Sequence, residues 1–111
     1  MKNKYVSILG EEYKINTEVS TDEAEYLKEV DGYCDSSIKE ITVAKFINST
    51  GTLKDLKKYE DKVIRHEIIH AFLNESGLKE NSDWARNEEM VDFFAIQFPK
   101  MIKVFKELEV I

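Results

Sequence analysis

Two histidines and one glutamate form the motif in this sequence that is best suited to chemistry. Residues 66–70 read His-Glu-Ile-Ile-His, within a stretch whose pattern predicts a helix. Histidines four residues apart share one helix face, with β-carbons about 5–6 Å apart, so both imidazoles can bind one metal ion. Glu67 would flank that ion, where a carboxylate can take a proton from a water that the metal holds. His66 and His70 are the only histidines of the chain, and the alternative is that they are ordinary surface or core residues.

A zinc site built on these histidines needs a further protein ligand, because catalytic zinc normally has three protein ligands and a water. No third histidine exists, so the third ligand should be a carboxylate or Cys34. Glu88 and Asp92 stand four residues apart in a second predicted helix, on its apolar side. Carboxylates there are unfavourable without partners. A metal ion for Glu88 and an imidazole N–H for Asp92 would satisfy both.

The motif and these acidic residues together resemble the gluzincin arrangement of zinc metallopeptidases. The stretch from residue 88 to residue 95, E-x-x-V-D-x-F-A, is also similar to the ImmA/IrrE-type metallopeptidases of phages and mobile elements. The likeness covers roughly residues 53–100, and the short chain resembles the small phage-encoded members of that group. The residues that carry the resemblance are His66, Glu67, His70, Asn87, Glu88 and Asp92.

The resemblance implies a role for each of these side chains. It implies that His66, His70 and Glu88 bind Zn²⁺ and that Glu67 is the general base. It also implies that Asp92 accepts a hydrogen bond from a ligand histidine and so fixes its tautomer.

Two of these assignments have alternatives. Glu89 is the rival third ligand, because helix boundaries inferred from sequence are uncertain, although the register with Asp92 favours Glu88. Otherwise Glu89 is a solvated or capping glutamate. Asp92 could instead cap the helix or pair with a basic residue.

The resemblance implies a zinc-dependent metallopeptidase that hydrolyses peptide bonds of a specific protein substrate, such as a phage or mobile-element regulator. The chain leaves little room for a second lobe, so we expect a shallow cleft and a protein or peptide substrate. The alternative is a zinc-stabilised protein-binding module without turnover. Glu67 favours the enzyme, because a structural zinc site gains nothing from a base there. A metal-free interaction domain is a third alternative.

An enzyme of this class also needs a donor for the anionic tetrahedral intermediate. Tyr33, Tyr59 and Arg86 carry suitable donors, and nothing in their spacing chooses among them. Trp84, just ahead of the ligand helix, could line the substrate cleft or belong to the core.

Length and composition limit the class of protein. The 111 residues, 42% of them hydrophobic and 11% aromatic, predict one domain spanning residues 1–111. The net charge of −6 argues against a nucleic-acid partner, because phosphate contacts need clustered Lys and Arg side chains.

The cysteine content and the apolar runs indicate the compartment. A single cysteine, Cys34, excludes an internal disulfide and fits a reducing environment, and burial is its favoured role because it has no C-x-x-C partner. The first residues contain no apolar signal segment, and no apolar run approaches the roughly 18 residues of a membrane helix. We therefore expect a cytoplasmic protein with no membrane partner.

The first half of the chain predicts a small sheet. Apolar and polar residues alternate in residues 12–19, and with Gly10 at the turn residues 4–19 predict a β-hairpin, while residues 38–46 predict a third strand. Residues 20–30 begin with a capping box and predict a short helix, with an acidic loop as the alternative. Residues 31–37 have turn chemistry, and a break follows at residues 48–51.

The second half predicts two long helices. The first should run from Thr52 to about Ser76 with Gly77 at its end, and residues 79–83 should form a loop. The second should run from about Asp83 to Leu108, with Pro99 kinking or dividing it. Its core face should comprise Val91, Ala95, Phe98, Met101, Ile102 and Phe105. We expect an α+β fold in which a small antiparallel sheet, the hairpin plus one strand, packs on two long helices as a minimal zincin-like core.

Overall fold

A computed structural model describes residues 1–47 and 55–111 of the chain. Its strands are β1 (Lys2–Ile8), β2 (Glu11–Val19), β3 (Gly32–Asp35) and β4 (Glu40–Ala44). Its helices are α1 (Leu56–Glu75), α2 (Leu78–Asn81) and α3 (Glu88–Glu107), and 3₁₀ turns cover Glu25–Lys28 and Asp83–Arg86. The predicted α+β class is confirmed. The predicted break at residues 48–51 and the predicted helix start at residue 52 lie outside the described residues.

The first two strands form the predicted hairpin, in which all of β1 pairs antiparallel with residues 11–17 of β2. The turn between them contains Leu9 at φ +50° and Gly10 at φ +86°, which matches the type I′ hairpin turn, in which both central residues have positive φ. Tyr13 and Ile15 point into the core as the alternation predicts. A bulge after Asn16 then interrupts the regular pairing of β2 with its other neighbour.

The sheet differs from the prediction in two ways. It has four strands in the order β1-β2-β4-β3, and β4 pairs parallel to β2, so the sheet is mixed and not antiparallel. The additional strand, β3, lies within residues 31–37, where turn chemistry predicts a turn. Four residues that include Gly32 and Asp35 carry no strand periodicity of their own, and the antiparallel pairing with β4 gives them their extended shape.

The connection between β2 and β3 contains the predicted capping box but hardly any helix. The Ser20 hydroxyl accepts from the Glu23 backbone N–H at 3.3 Å, and the Glu23 carboxylate accepts from the Ser20 N–H at 3.2 Å. Only one 3₁₀ turn follows, at Glu25–Lys28, and its buried residue Leu27 packs on the sheet. The capping box here closes a turn that covers one end of the sheet.

The first long helix, α1, packs directly on the sheet. Gly77 follows its end at φ +83°, as a left-handed helix terminus requires, which agrees with the predicted end. Tyr13 donates a hydrogen bond from its hydroxyl to Glu75 at 2.6 Å, and Lys39 reaches the same carboxylate oxygen at 2.7 Å. The main core cluster comprises Ile8, Tyr13, Ile15, Ile41 and Val43 from the sheet with Val63 and Ala71 from α1.

The segment between the long helices was predicted as a loop followed by an early helix start at Asp83, and both predictions are wrong. The structure has a short helix, α2, and then the 3₁₀ turn Asp83–Arg86. The second long helix begins at Glu88, because the Asn87 side chain accepts a hydrogen bond from the Met90 backbone N–H at 2.8 Å. An N-cap asparagine therefore decides where the helix starts.

The proline inside α3 does not divide the helix, which runs unbroken from Glu88 to Glu107. Pro99 has no N–H to donate to the Ala95 carbonyl four residues earlier. The Arg65 side chain of α1 takes over this role, since its Nε donates to the Ala95 oxygen at 2.6 Å. The same hydrogen bond fastens α3 to α1.

The predicted core face of α3 is correct only in its first half. Val91 and Ala95 are fully buried, but Phe98, Ile102 and Phe105 are 36%, 39% and 37% exposed, because no other described element covers that end of the helix. None of the described helices is long and apolar enough to cross a membrane.

Candidate metal centre

The predicted ligand pair lies on the side of α1 that faces α3. His66 and His70 are one helical turn apart, and their ring centroids are separated by 4.9 Å. Both side chains are largely buried, with 16% and 19% of their surface exposed. Burial lowers the pKa of His70 and so favours the neutral imidazole, which is the form that binds metals.

The start of α3 brings Glu88 between the two imidazoles. Glu88 Oε1 lies 2.8 Å from His70 Nε2, and Glu88 Oε2 lies 3.0 Å from His66 Nε2. The N-cap at Asn87 fixes this placement, because it makes Glu88 the first residue of the helix. Three ligand atoms from these residues lie within 4.8 Å of one another.

One helical turn further along α3, the Asp92 carboxylate faces the other nitrogen of His66. Asp92 Oδ1 lies 3.2 Å from His66 Nδ1 and 3.5 Å from the Lys62 Nζ. An acceptor on the second ring nitrogen fixes the orientation and tautomer of a ligand histidine. Asp92 thus faces a histidine nitrogen as predicted, and it also makes the alternative contact, an ion pair with a basic residue, through Lys62, which the sequence did not single out.

The two carboxylates give His66 an acceptor opposite each ring nitrogen. A neutral imidazole has one N–H and one lone pair. When Nδ1–H donates to Asp92, the Nε2 lone pair faces the Glu88 oxygen at 3.0 Å, and these two acceptors repel unless a proton or a metal ion lies between them. Two imidazole nitrogens and one carboxylate oxygen form the donor set of catalytic zinc sites of the His₂Glu type. The residues of the cluster therefore fit zinc.

The predicted base, Glu67, is the buried acid beside this cluster. Its side chain is 7% exposed. Burial raises the pKa of its carboxyl to about 7, an effect that His66 opposes and the Glu88 carboxylate reinforces. A carboxyl with a pKa near the working pH is well suited to both accepting and donating a proton.

The rival ligands lie outside the cluster. Glu89 is exposed and is not part of the three-residue group that the described residues form. Cys34 is also outside it. The Cys34 thiol is half-buried, its sulfur accepts a weak hydrogen bond from Asn74, and burial raises its pKa to about 11. Cys34 is therefore partly buried, and it is not among the residues whose ligand atoms converge.

The candidate donors for an anionic intermediate all line the surface around the cluster. Tyr59 donates its hydroxyl to Asp31, a hydrogen bond that, with burial, raises the pKa of the tyrosine to about 12. Arg86 bonds to the Asp83 carboxylate and to a backbone carbonyl, and the Tyr33 ring packs edge-on against another tyrosine. Trp84 is 52% exposed, which excludes a core role.

Two clefts meet at the cluster. The acidic cleft, of about 370 Å³, contains Glu29, Asp31, Asp92 and Lys62 in its wall, and the basic cleft, of about 450 Å³, contains Lys79 and Arg86. The residues lining both clefts are Val30, Gly32, His66, Glu67 and Glu88.

A glycine allows the sheet to approach the cluster from the side of β3. A β-carbon on Gly32 would lie 3.0 Å from Val63 Cγ1 and 3.4 Å from Glu67 Cγ, so a larger residue would push β3 away from α1. The requirement for glycine at this position is not visible in the sequence, because it depends on a contact across 31 residues or more.

Comparison of the chain with protein-family models, with curated proteins and with solved structures gives no match.

Proposed function

We propose that this protein is a zinc-dependent metallopeptidase that hydrolyses peptide bonds of a specific protein substrate in the cytoplasm. The observation that carries the proposal is the convergence of His66, His70 and Glu88 next to the buried carboxylate of Glu67. The resemblance to ImmA/IrrE-type peptidases supports the same function and favours a regulator of a mobile element as the substrate.

Each polar side chain of the centre has a role in this proposal. His66, His70 and Glu88 would hold the zinc ion, which when bound supplies Lewis-acid polarisation and lowers the pKa of a coordinated water to about 7. Asp92 keeps His66 in the tautomer that leaves Nε2 free for the metal. Lys62 balances the charge of Asp92.

Glu67 would move the proton. Its ionised carboxylate can accept a proton from the attacking water, and burial, which raises its pKa, makes it a better base than an exposed glutamate. The protonated carboxyl can then donate that proton to the leaving amine. Its burial keeps this proton near the reaction and away from bulk solvent.

The sheet offers a place for an extended substrate. The strand β3 is at the end of the strand order, so within the described residues its outer edge pairs with no other strand. Gly32 of this strand lines both clefts, so the edge borders the cluster. An extended peptide can add to such an edge through main-chain hydrogen bonds. This arrangement supports a peptide substrate.

The competing function is a zinc-stabilised binding module without turnover. It is favoured by the position of the cluster, which joins α1 to α3 and would therefore stabilise their packing when zinc binds. A binding module of this kind has no role for the carboxylate of the buried residue Glu67. The two functions differ in whether that carboxylate is needed for hydrolysis.

Zinc content per chain is the first test of the proposal. We expect about one zinc ion in the wild type and much less in Glu88→Ala, since a ligand is lost. Glu89→Ala is the matched control, because it removes the neighbouring glutamate that the structure puts outside the cluster, and it should keep its zinc. A wild type that takes up no zinc on incubation would contradict the proposal.

Turnover separates the enzyme from the binding module. A mixed library of unstructured decapeptides, analysed for cleavage by mass spectrometry, is the probe. We expect products from the zinc-loaded wild type, and we expect Glu67→Gln to keep the zinc but lose at least about 100-fold of the rate, the usual contribution of a general base. Equal rates in the two proteins would exclude Glu67 as the base.

A further inference from the structure

The charges in the two clefts are segregated along the groove that they form together. Beyond the residues common to both, the acidic cleft carries the carboxylates of Glu29, Asp31 and Asp92 against one amine, that of Lys62. The basic cleft carries Lys79 and Arg86 and no additional carboxylate in its lining. The groove thus changes sign across the metal centre.

The centre of this groove contains a buried acid, Glu67, in addition to surface charges. The Glu67 side chain lines both clefts, is 7% exposed and makes no hydrogen bond to another described side chain. Glu67 is nine-tenths buried and lines both clefts, so a ligand that spans the two clefts would lie across its side chain. The charges on either side would then contact the parts of that ligand that flank the centre.

Existing ion pairs differ in how much of this charge they neutralise. Lys62 pairs with Asp92 at 3.5 Å, so Glu29 and Asp31 supply the excess negative charge of the acidic cleft. Arg86 pairs with Asp83, which leaves Lys79 as the main positive charge of the basic cleft. The segregation is therefore preserved after the pairs are taken into account.

We infer that the groove selects a peptide with segregated charges, with Lys or Arg side chains on the part that enters the acidic cleft and Asp or Glu side chains on the part that enters the basic cleft. This inference rests on the proposed peptidase function, of which it names the substrate class. Such charges act mainly through steering and exclusion of wrong partners, since exposed ion pairs contribute little affinity each.

The test uses three synthetic dodecapeptides with the same uncharged centre. The first carries two lysines before the centre and two glutamates after it, the second has the opposite order, and the third has glutamines at all four positions. Binding is measured on zinc-loaded Glu67→Gln by fluorescence anisotropy, and cleavage is measured on zinc-loaded wild type by mass spectrometry. Binding and hydrolysis are thus read separately.

We expect one of the two charged orders to be bound and cleaved about three- to tenfold better than the other and than the neutral peptide. The preference should weaken between low and about 0.5 M salt, because solvent-exposed charges are screened. Which order is preferred reports the direction in which the peptide lies along the groove.

Charge-reversing substitutions in each cleft test whether the cleft residues cause the preference for one charge order. Glu29→Lys should remove the preference for lysines, and Lys79→Glu the preference for glutamates. Glu107→Lys and Lys106→Glu are matched controls with the same charge changes near the far end of α3, about 28 Å from Glu88 at the 1.5 Å rise of a helix, and should leave the preference unchanged.

The outcomes distinguish this inference from the proposed function. Equal cleavage of all three peptides would overturn the charge selection and leave the peptidase standing. A charge preference in binding with no cleavage by the wild type would support the groove and contradict the peptidase. A preference that the cleft variants and the distant variants change equally would overturn the inference, because it would then arise from net charge.

Discussion

The two long helices have the same length of 20 residues but very different surroundings. The first, α1, packs on strands of the sheet, on α2 and on α3, whereas α3 packs mainly on α1 and on the turn Asp83–Arg86. Nevertheless α3 has the more clearly amphipathic sequence of the two. An apolar stripe therefore indicates which side of a helix prefers burial, but not how much of that side finds a partner.

This difference determines how the candidate metal centre is assembled. The two histidines belong to the helix that the sheet supports, and Glu88 and Asp92 belong to the helix that depends on α1. The two helices run in opposite directions where they touch. His70, later in α1, contacts Glu88 at the start of α3, and Arg65, earlier in α1, contacts Ala95 further along α3. The position of Glu88 thus depends on the packing of α3 against α1 and against the turn Asp83–Arg86, and on the Asn87 cap.

The sharpest test of the contrast compares one buried and one exposed position of α3. Val91 is 0% exposed and Ile102 is 39% exposed. Val91→Asp would bury an unpaired carboxylate, so we expect a loss of more than about 4 kcal/mol in the free energy of unfolding or no folded protein. Ile102→Asp should change it by less than about 1 kcal/mol, as measured by urea denaturation.

Two milder substitutions at the same positions test the contrast if Val91→Asp does not fold. Val91→Ala should lose about 2 kcal/mol, because it removes buried methyl groups and leaves a cavity, and Ile102→Ala should lose less than half of that. Equal losses at the two positions would mean that the second half of α3 is packed against something in solution, and the contrast between its halves would fail.

The next test concerns the hydrogen bond between the two helices. Arg65→Ala leaves the Ala95 carbonyl without a donor, so we expect a loss of about 1–3 kcal/mol in the free energy of unfolding. In a Pro99→Ala background the restored backbone N–H can donate to that carbonyl, and the loss caused by Arg65→Ala should be smaller by about 1 kcal/mol or more. Denaturation of all four proteins completes the cycle.

Lys103→Ala serves as the control background for this cycle, because it changes an exposed residue one turn further along α3 and leaves Pro99 in place. Arg65→Ala should be equally destabilising there and in the wild type. An undiminished loss in the Pro99→Ala background would show that Arg65 acts through its packing and not through the orphan carbonyl.

The smallest expected change in stability is for Glu75, at the C-terminal end of α1. This residue links the helix to the sheet through Tyr13 and Lys39. The Lys39 amine and then the Tyr13 hydroxyl lower the pKa of Glu75. A lowered pKa in the folded state stabilises it at pH values above the unfolded pKa, and this contribution is lost as the pH falls through the folded pKa. Glu75→Gln should therefore be less stable than the wild type at neutral pH.

The stability difference should shrink as the pH falls through the lowered folded-state pKa of Glu75 and disappear below it, where the carboxyl is protonated in the wild type as well. Thermal unfolding at several pH values measures it. Glu107→Gln, which removes an exposed carboxylate at the end of α3, is the matched control. If the stability difference between Glu75→Gln and the wild type did not depend on pH, the contacts of Glu75 with Tyr13 and Lys39 would stabilise the protein through neutral hydrogen bonds.

The residues of the candidate metal centre could be predicted from the sequence, because each lies on a helix and a helix has a fixed period. Spacings of four residues determine which side chains share a face, so His66 with His70 and Glu88 with Asp92 could be paired in advance. The choice of Glu88 over Glu89 follows from the same period. That these residues bind zinc stays a prediction.

The features that the sequence did not predict depend on contacts between distant parts of the chain. The strand β3 exists because β4 pairs with it, and the need for Gly32 arises from the closeness of α1. Lys62 gains significance only when α3 brings Asp92 within reach. The Asn87 cap was a local signal that could have placed the start of α3 correctly.

The parallel pairing of β2 with β4 has a consequence for how the chain folds. The hairpin partners are joined by a two-residue turn, but β2 and β4 bring together residues that are 26 positions apart, such as 14 with 40 and 16 with 42. Closing a longer loop before its contacts form slows folding. We expect the hairpin to form early and the entry of β4 to limit the rate, with α1 docking on the completed sheet and α3, which carries Glu88, joining last.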